Sequence, residues 1–344
     1  MVRGATPGAA PDPLAPAPPA PGSRELAERV APLIFGHRPR RWWLWPLRLV
    51  LLGLLLLALG LWLLRAEARA ALARDLERAR PTGLLPGAAA LELGPGDAPA
   101  AALLVHGWAT CPADFADLPQ RLADCGLRVR APLLPGHGAD PRALQRVSLG
   151  EIEAQLQSEY AGLRERHSQV FLVGFSMGAA LCLVLEAGLP EEQLPAGLAL
   201  VAPYFDIARP AWLPIDPARA AAWLEPWLPF VAAGPEFVRL ADRSQAGRLV
   251  KFEALPLRAV GLLFDLRAKL AGPGLLETCR SPLQMVVSSG DRAADPAAAR
   301  RAYERLRSPD KQLLEVERSD HHVLLDHDAQ AILSFLEARL CPPR

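Results

Sequence analysis

The chain has almost no net charge. Its 38 Lys and Arg against 37 Asp and Glu leave +1 over 344 residues. That balance argues against a nucleic-acid partner, which needs a basic patch or stripe. Paired metal or redox motifs are also missing. The five cysteines, Cys111, Cys125, Cys182, Cys279 and Cys341, are scattered and odd in number, and no C-x-x-C occurs. Neither a disulfide framework nor a zinc knuckle is indicated, and the expectation is small buried residues or unpaired thiols. His321, His322, Asp326, His327 and Asp328 cluster late in the chain. No H-E-x-x-H or second ligand group accompanies them, so no metal is expected. Residues 1–22 are rich in Ala, Pro and Gly with almost no aromatic content. Such a composition cannot bury a core and predicts disorder.

What the sequence has instead is one long apolar run. Trp42 to Leu64 reads WWLWPLRLVLLGLLLLALGLWLL, 23 residues whose one charge is Arg48. At about 1.5 Å rise per residue such a run covers a hydrocarbon layer of roughly 30 Å. Trp42, Trp43 and Trp45 at one boundary and Trp62 near the other stand where interfacial aromatics do. A cleaved signal peptide fits less well, because the run is long and starts after 41 residues, with no small-residue cleavage site before Arg65. The expectation is an uncleaved single-pass anchor in a lipid bilayer. Arg38, Arg40, Arg41 and Arg48 crowd its N-terminal end, while Arg65, Arg69, Arg74, Arg78 and Arg80 beyond it are diluted by Glu67, Asp75 and Glu77. The tighter N-terminal cluster predicts an N-inside anchor in a bacterial inner membrane, with the large domain on the outer side. The implied organisation is a tail over 1–41, an anchor over 42–64, a stalk or linker over 65–87 and a folded domain over 88–344. Residues 65–80 continue the helix or form a charged stalk, broken by Pro81-Thr82-Gly83 and Pro86-Gly87.

Beyond residue 88 short apolar runs alternate with helical spacing. Ala101–Val105, Leu127–Pro132, Val170–Val173, Gly197–Ala202, Leu283–Ser288 and Gln312–Val316 read as strands. Helices are expected over 114–125, over 148–166 with Ser148 and Glu151 as a capping box, over 296–306 and over 329–340. This alternation predicts an α/β fold, a mostly parallel sheet covered on both faces. The stretch from about 204 to 275 breaks the rhythm and reads as a mainly helical cap insertion. It carries Trp212, Trp223, Trp227 and Phe230, either as the apolar inner face of a lid or as ordinary packing.

Gly174-Phe175-Ser176-Met177-Gly178 follows the strand Val170–Val173 and precedes an apolar helix. A turn this tight needs small residues on both flanks, and it leaves the serine exposed above the strand ends. Its neighbouring N–H groups stand at a helix N-terminus, where they can stabilise an oxyanion. A serine nucleophile needs a base, and the base an orienting acid. Asp291 follows an apolar strand, and His321 and His322 follow the last one, giving the order Ser, Asp, His.

These motifs resemble the α/β-hydrolase fold, and within it the carboxylesterase and monoacylglycerol-lipase-like group that shades into serine aminopeptidase-like hydrolases. Leu103-Leu104-Val105-His106-Gly107-Trp108 resembles the strand ending in His-Gly. Residues 131–138 resemble the Pro-Gly-His-Gly loop and 290–296 the Gly-x-Asp-x-x-x-Pro segment. The resemblance covers about 88–340. It implies Ser176 as nucleophile, Asp291 as acid, and the N–H groups of Trp108 and Met177 as oxyanion hole. The base is expected to be His321, five residues before Asp326 at the start of the last helix, with His322 as the alternative; Asp206 is the alternative acid. His106 and His137 are expected to shape loops, and His37 and His167 to be solvated. No cofactor is implied. The expected activity is hydrolysis of lipophilic carboxylic esters, such as monoacylglycerols or lysophospholipids. The alternatives are an inactive hydrolase-fold binding or scaffold protein, or an acyltransferase or thioesterase on the same triad. Protein partners are left open.

Overall fold

The computed structural model describes residues 22, 28–30, 44–209, 216–234 and 237–341. Most of the 1–22 tail, with His37, Arg38, Arg40, Arg41, Trp42, Trp43 and Trp212, lies outside the described residues. The chain divides into two compact units, Met1–Leu59 and Gly60–Arg344.

Helix α1, Leu44–Ala79, crosses that division. It is long and apolar enough to cross a membrane, and its large side chains from Trp45 to Leu64 are exposed apart from the half-buried Leu61. The charged stretch after Leu64 continues the same helix. Ala68, Ala71, Asp75 and Ala79 recur at helical spacing and are buried. The helix stops at Gly83, whose φ of +77° suits glycine and whose N–H returns to the Ala79 carbonyl at 2.7 Å.

The second unit then builds β1 (Leu91–Leu93), β2 (Ala100–Val105), α2 (Leu118–Asp124), β3 (Arg128–Ala131), α3 (Pro141–Leu144), α4 (Leu149–Arg164), β4 (Gln169–Phe175), α5 (Met177–Ala187) and β5 (Gly197–Val201). After these come α6 (Pro217–Leu224), β6 (Phe230–Ala232), β7 (Ala254–Pro256), α7 (Val260–Leu270), β8 (Leu283–Ser288), α8 (Pro296–Arg305), β9 (Lys311–Val316) and α9 (Ala329–Leu340). The main sheet has the order β1-β3-β2-β4-β5-β8-β9, with β1 antiparallel to β3 and the other pairs parallel. Its central strands are apolar on both faces because both are covered. Leu103, Val105, Leu172, Leu198, Leu200 and Met285 face one core with α4, α5, α7 and α8. Ala102, Leu104, Val173, Ala199, Val201 and Val286 face the other with α2 and α9. The capping box at the start of α4 is formed as its sequence predicts: Ser148 Oγ accepts from Glu151 N, and Glu151 Oε2 from Ser148 N.

The cap insertion adds to its helices α6 and α7 a short antiparallel ribbon, β6 with β7, in which Val231 lies opposite Leu255. Strands of three residues, one ending in Pro256, are too short to show a period of two. Three expectations are corrected. Trp223 and Trp227 point outward, 73% and 57% exposed, so they do not form the cap's inner face. Two cysteines are paired: Cys125, after α2, is disulfide-bonded to Cys341, after α9, while Cys111, Cys182 and Cys279 are free and buried. The pairing follows from two packed helices ending side by side, an adjacency that a separation of 216 residues hides in the sequence. His167 is buried, its Nδ1 2.6 Å from the Ala98 carbonyl, because the turn after α4 folds against the start of β2.

Candidate active site

Ser176 stands at the end of β4 in a backbone conformation rare for a residue with a side chain, φ +54° and ψ −116°. The flanking glycines are required by contact. A Cβ on Gly174 would lie 2.3 Å from Ala179 Cα, and one on Gly178 only 1.8 Å from the Val105 carbonyl oxygen. The close approach of Gly178 brings the end of β2, with His106-Gly107-Trp108, against the serine turn. The turn is pinned by Ser176 N donating to the Val201 carbonyl and by Tyr204 N donating to the Ser176 carbonyl.

His321 reaches this serine from the loop after β9. Its Nε2 lies 2.9 Å from Ser176 Oγ, and its Nδ1 lies 2.7 Å from Asp291 Oδ2. The carboxylate fixes the tautomer: Nδ1 carries the proton, and Nε2 accepts from the hydroxyl. Asp291 is itself held, since its Oδ1 accepts from Ala293 N at 2.7 Å and Ala294 N at 2.9 Å. All three side chains are buried. Burial disfavours the imidazolium. The charge and hydrogen bond of Asp291, with Asp114 and Asp320 further off, outweigh it and hold His321 above the ordinary imidazole range.

The two alternatives are placed elsewhere. His322 Nδ1 lies 3.6 Å from Asp114 Oδ1, and its ring stacks on Phe175. Burial, then His321, Lys251 and Arg239, push it well below the usual imidazole range. Asp206 accepts from Ile207 N and from Arg267 Nη1 at 2.7 Å. Asp326 does not open the last helix, whose N-cap is Asp328. Asp326 accepts instead from the backbone N–H of Ala241, Asp242, Asp320 and His327, tying the histidine loop to the cap. His106 and His137 bond locally: His106 Nε2 accepts from Leu134 N, and Nδ1 faces the Gly107 carbonyl. His137 Nδ1 faces the Pro135 carbonyl, and burial pushes this imidazole down to about 4.

Asp114 was invisible as a site residue in the sequence, where it only opens a helical stretch. Its Oδ2 accepts from Gly107 N at 3.3 Å and from the Thr110 hydroxyl, which bolts down the loop that carries Trp108. Burial pushes its carboxyl up to about 7, against the pull of those two bonds. The cue that could have found it is an acid seven residues after His-Gly-Trp's glycine, in a segment otherwise apolar.

Ser176 and His321 open on a cavity of about 330 Å³. Its walls come largely from the insertion: Val231, Phe237, Leu255, Leu257, Val260 and Leu263. Arg239, Lys251 and Arg292 bring charge to the same space. Trp108 also lines it, its indole Nε1 donating to the Ala259 carbonyl at 2.9 Å.

Known proteins are similar to this chain in sequence and fold. A thermostable monoacylglycerol lipase of Bacillus sp. (strain H-257) is 25% identical over 241 residues, 68% of this chain and 88% of that protein. A carboxylesterase of Bacillus subtilis (strain 168) is 23% identical over 242 residues, 69% of this chain and 92% of that protein. Among solved structures, one described for the metagenome-derived lipolytic enzymes LipS and LipT superimposes with a TM-score of 0.66 at 24% identity, covering 75% of this chain and 98% of its own. The family model described as the alpha/beta hydrolase family matches residues 102–334, well over half of the chain. The chain belongs to the alpha/beta hydrolase family, on its esterase and lipase side.

Proposed function

We propose that the chain is a membrane-anchored serine hydrolase of lipophilic acyl esters, acting through an acyl-enzyme. The observation that carries this reading is the unbroken relay from Ser176 Oγ through His321 to Asp291, at 2.9 and 2.7 Å, on the floor of an apolar cavity. In the reaction His321 Nε2 takes the Ser176 proton as Oγ bonds to the ester carbonyl carbon. The N–H groups of Trp108 and Met177 receive the oxyanion. The carbonyl–alkoxy bond then breaks, and His321 passes its proton to the leaving alcohol. Water, deprotonated by the same ring, attacks the acyl-enzyme and releases the acid and free Ser176. Asp291 keeps the ring oriented and stabilises its charged form.

The cavity walls favour an acyl chain, and monoacylglycerol or a lysophospholipid fits that chemistry. A monoacylglycerol is what the Bacillus lipase's name says it acts on. The apolar stretch of α1 supports a single-pass anchor. The Cys125–Cys341 disulfide supports placing the hydrolase unit on the outer side, since such bonds persist in oxidising compartments.

The test is turnover of p-nitrophenyl esters of increasing chain length by the full-length protein in detergent micelles, beside Ser176→Ala. The expected result is activity that rises with chain length, abolished in the variant together with fluorophosphonate labelling. No turnover and no labelling in the unaltered protein would replace the esterase reading with that of an inactive binding protein. Acyl transfer to added glycerol in preference to water would make it a transferase.

A further inference from the structure

Helix α1 does not simply leave the hydrolase unit. Between Arg65 and Ala79 it lies along the cap ribbon. Arg65 Nε donates to the Trp227 carbonyl at 2.5 Å, and Arg74 Nε to Glu253 Oε2 at 2.6 Å. Directly after Arg74 stands Asp75, with no solvent exposure. Its Oδ2 accepts from Glu253 N and Ala254 N, both at 2.9 Å, and its Oδ1 from Glu253 N at 3.0 Å and Arg78 Nη1 at 3.3 Å. A carboxylate withdrawn from water is costly unless hydrogen bonds replace its hydration, and here backbone N–H groups do so. An alanine would serve the helix better, so the acid's use lies in what it holds.

It holds the edge of β7. The residue after Ala254 is Leu255, which lines the Ser176 cavity, and its cross-strand partner Val231 lines it too. Lys251 and Leu257, on either side of β7, complete that wall. A two-stranded ribbon of three-residue strands is too small to keep its own shape and takes it from whatever it packs on. We propose that Asp75 is a positioning residue for the acyl pocket: by gripping the Glu253 and Ala254 N–H groups it sets Leu255 and Val231 against the cavity, which makes the stem helix part of the substrate-binding apparatus. This rests on reading that cavity as the acyl-binding site.

The experiment uses the full-length protein in detergent micelles with p-nitrophenyl acetate and p-nitrophenyl dodecanoate. Losing a grip of this kind is expected to raise KM for the dodecanoate about tenfold in Asp75→Ala, with kcat on the acetate within about twofold. Amide exchange at Glu253 and Ala254 should quicken in the same variant. Asp75→Asn, whose amide oxygen can take the place of Oδ2 and accept both N–H groups, should recover most of the KM. If Asp75→Ala does not fold, Asp75→Ser, whose shorter side chain cannot span both N–H groups, takes its place, and about a threefold or larger rise in the same KM is expected. An unchanged dodecanoate KM in folded Asp75→Ala, or in Asp75→Ser where that is the variant available, overturns the proposal. Should the unaltered protein turn over no ester, the esterase reading alone fails. Dodecanoate binding then decides: a Kd raised by Asp75→Ala supports the positioning role, and an equal Kd overturns it.

Discussion

Asp114 reaches two parts of the site at once: one carboxylate oxygen takes the Gly107 N–H, while the other lies 3.6 Å from His322 Nδ1. It also contributes to holding His321 above the ordinary imidazole range. His321 must be unprotonated to act as base, so kcat/KM should rise with pH through its raised pKa, above the usual value of about 6.5. Burial pushes the Asp114 carboxyl up to about 7, and as it ionises it favours the charged form of His321, so the acid limb should be shallower than a single proton gives. Removing the charge in Asp114→Asn lowers the pKa of His321, so the limb should move to lower pH and become single-proton. A pH profile of kcat/KM for the two proteins checks this, and an unmoved limb would show the coupling to be absent.

Ser176, Asp291 and His321 should fail in graded fashion. Ser176→Ala is expected to lower kcat by about 10⁵ or more, and Asp291→Asn by about 10⁴ through the wrong imidazole tautomer. His322→Gln should lose far less than the roughly 10²–10⁴ that a general base supplies, because its ring makes no bond to the serine. Steady-state kinetics on one ester measures all three. A His322 variant as damaged as His321→Gln would reverse the assignment of the base.

Two glycines should respond in opposite senses to one methyl group. At Gly178 the Cβ would meet a backbone carbonyl at 1.8 Å, so Gly178→Ala should unfold the serine turn and abolish activity. At Gly162, inside α4, a Cβ meets nothing within 4 Å. Gly162→Ala should therefore stabilise the fold by about 0.5–1 kcal/mol, read as a higher Tm, with kinetics unchanged.

The disulfide should matter more than its position near the C-terminus implies. Closing so long a loop constrains the unfolded chain, and Cys341→Ser is expected to cost about 2–4 kcal/mol. Denaturant titration with and without reductant measures it. Equal midpoints would show that the two helix ends are held by packing alone.

The parts of this fold that were legible in the sequence are those encoded locally. Val170–Val173 running into Gly174 announces a buried strand and a tight turn within a dozen residues, and Ser148 with Glu151 announces a helix start. The chain order of Ser176, Asp291 and His321 was legible because each follows its own apolar strand. The cap ribbon was not, since three-residue strands have no period to read. Nor was Asp75, which among Arg74, Glu77 and Arg78 looks like any solvated stem residue until the ribbon is laid against it. Cys125 with Cys341, and His167 with Ala98, are contacts of tertiary adjacency, which local spacing does not carry.

The bond between Cys125 and Cys341 also turns most of the hydrolase unit into a covalent ring. Ser176, Asp291 and His321 all lie on that ring, whereas Trp108 and the stem helix lie on the strand leading into it. A protease that nicks an exposed cap segment, such as the stretch around Trp223 and Trp227, therefore opens the ring without releasing a fragment. The nicked molecule keeps its triad on one covalent body. It should run as a single band on a gel without reductant and as two bands with it.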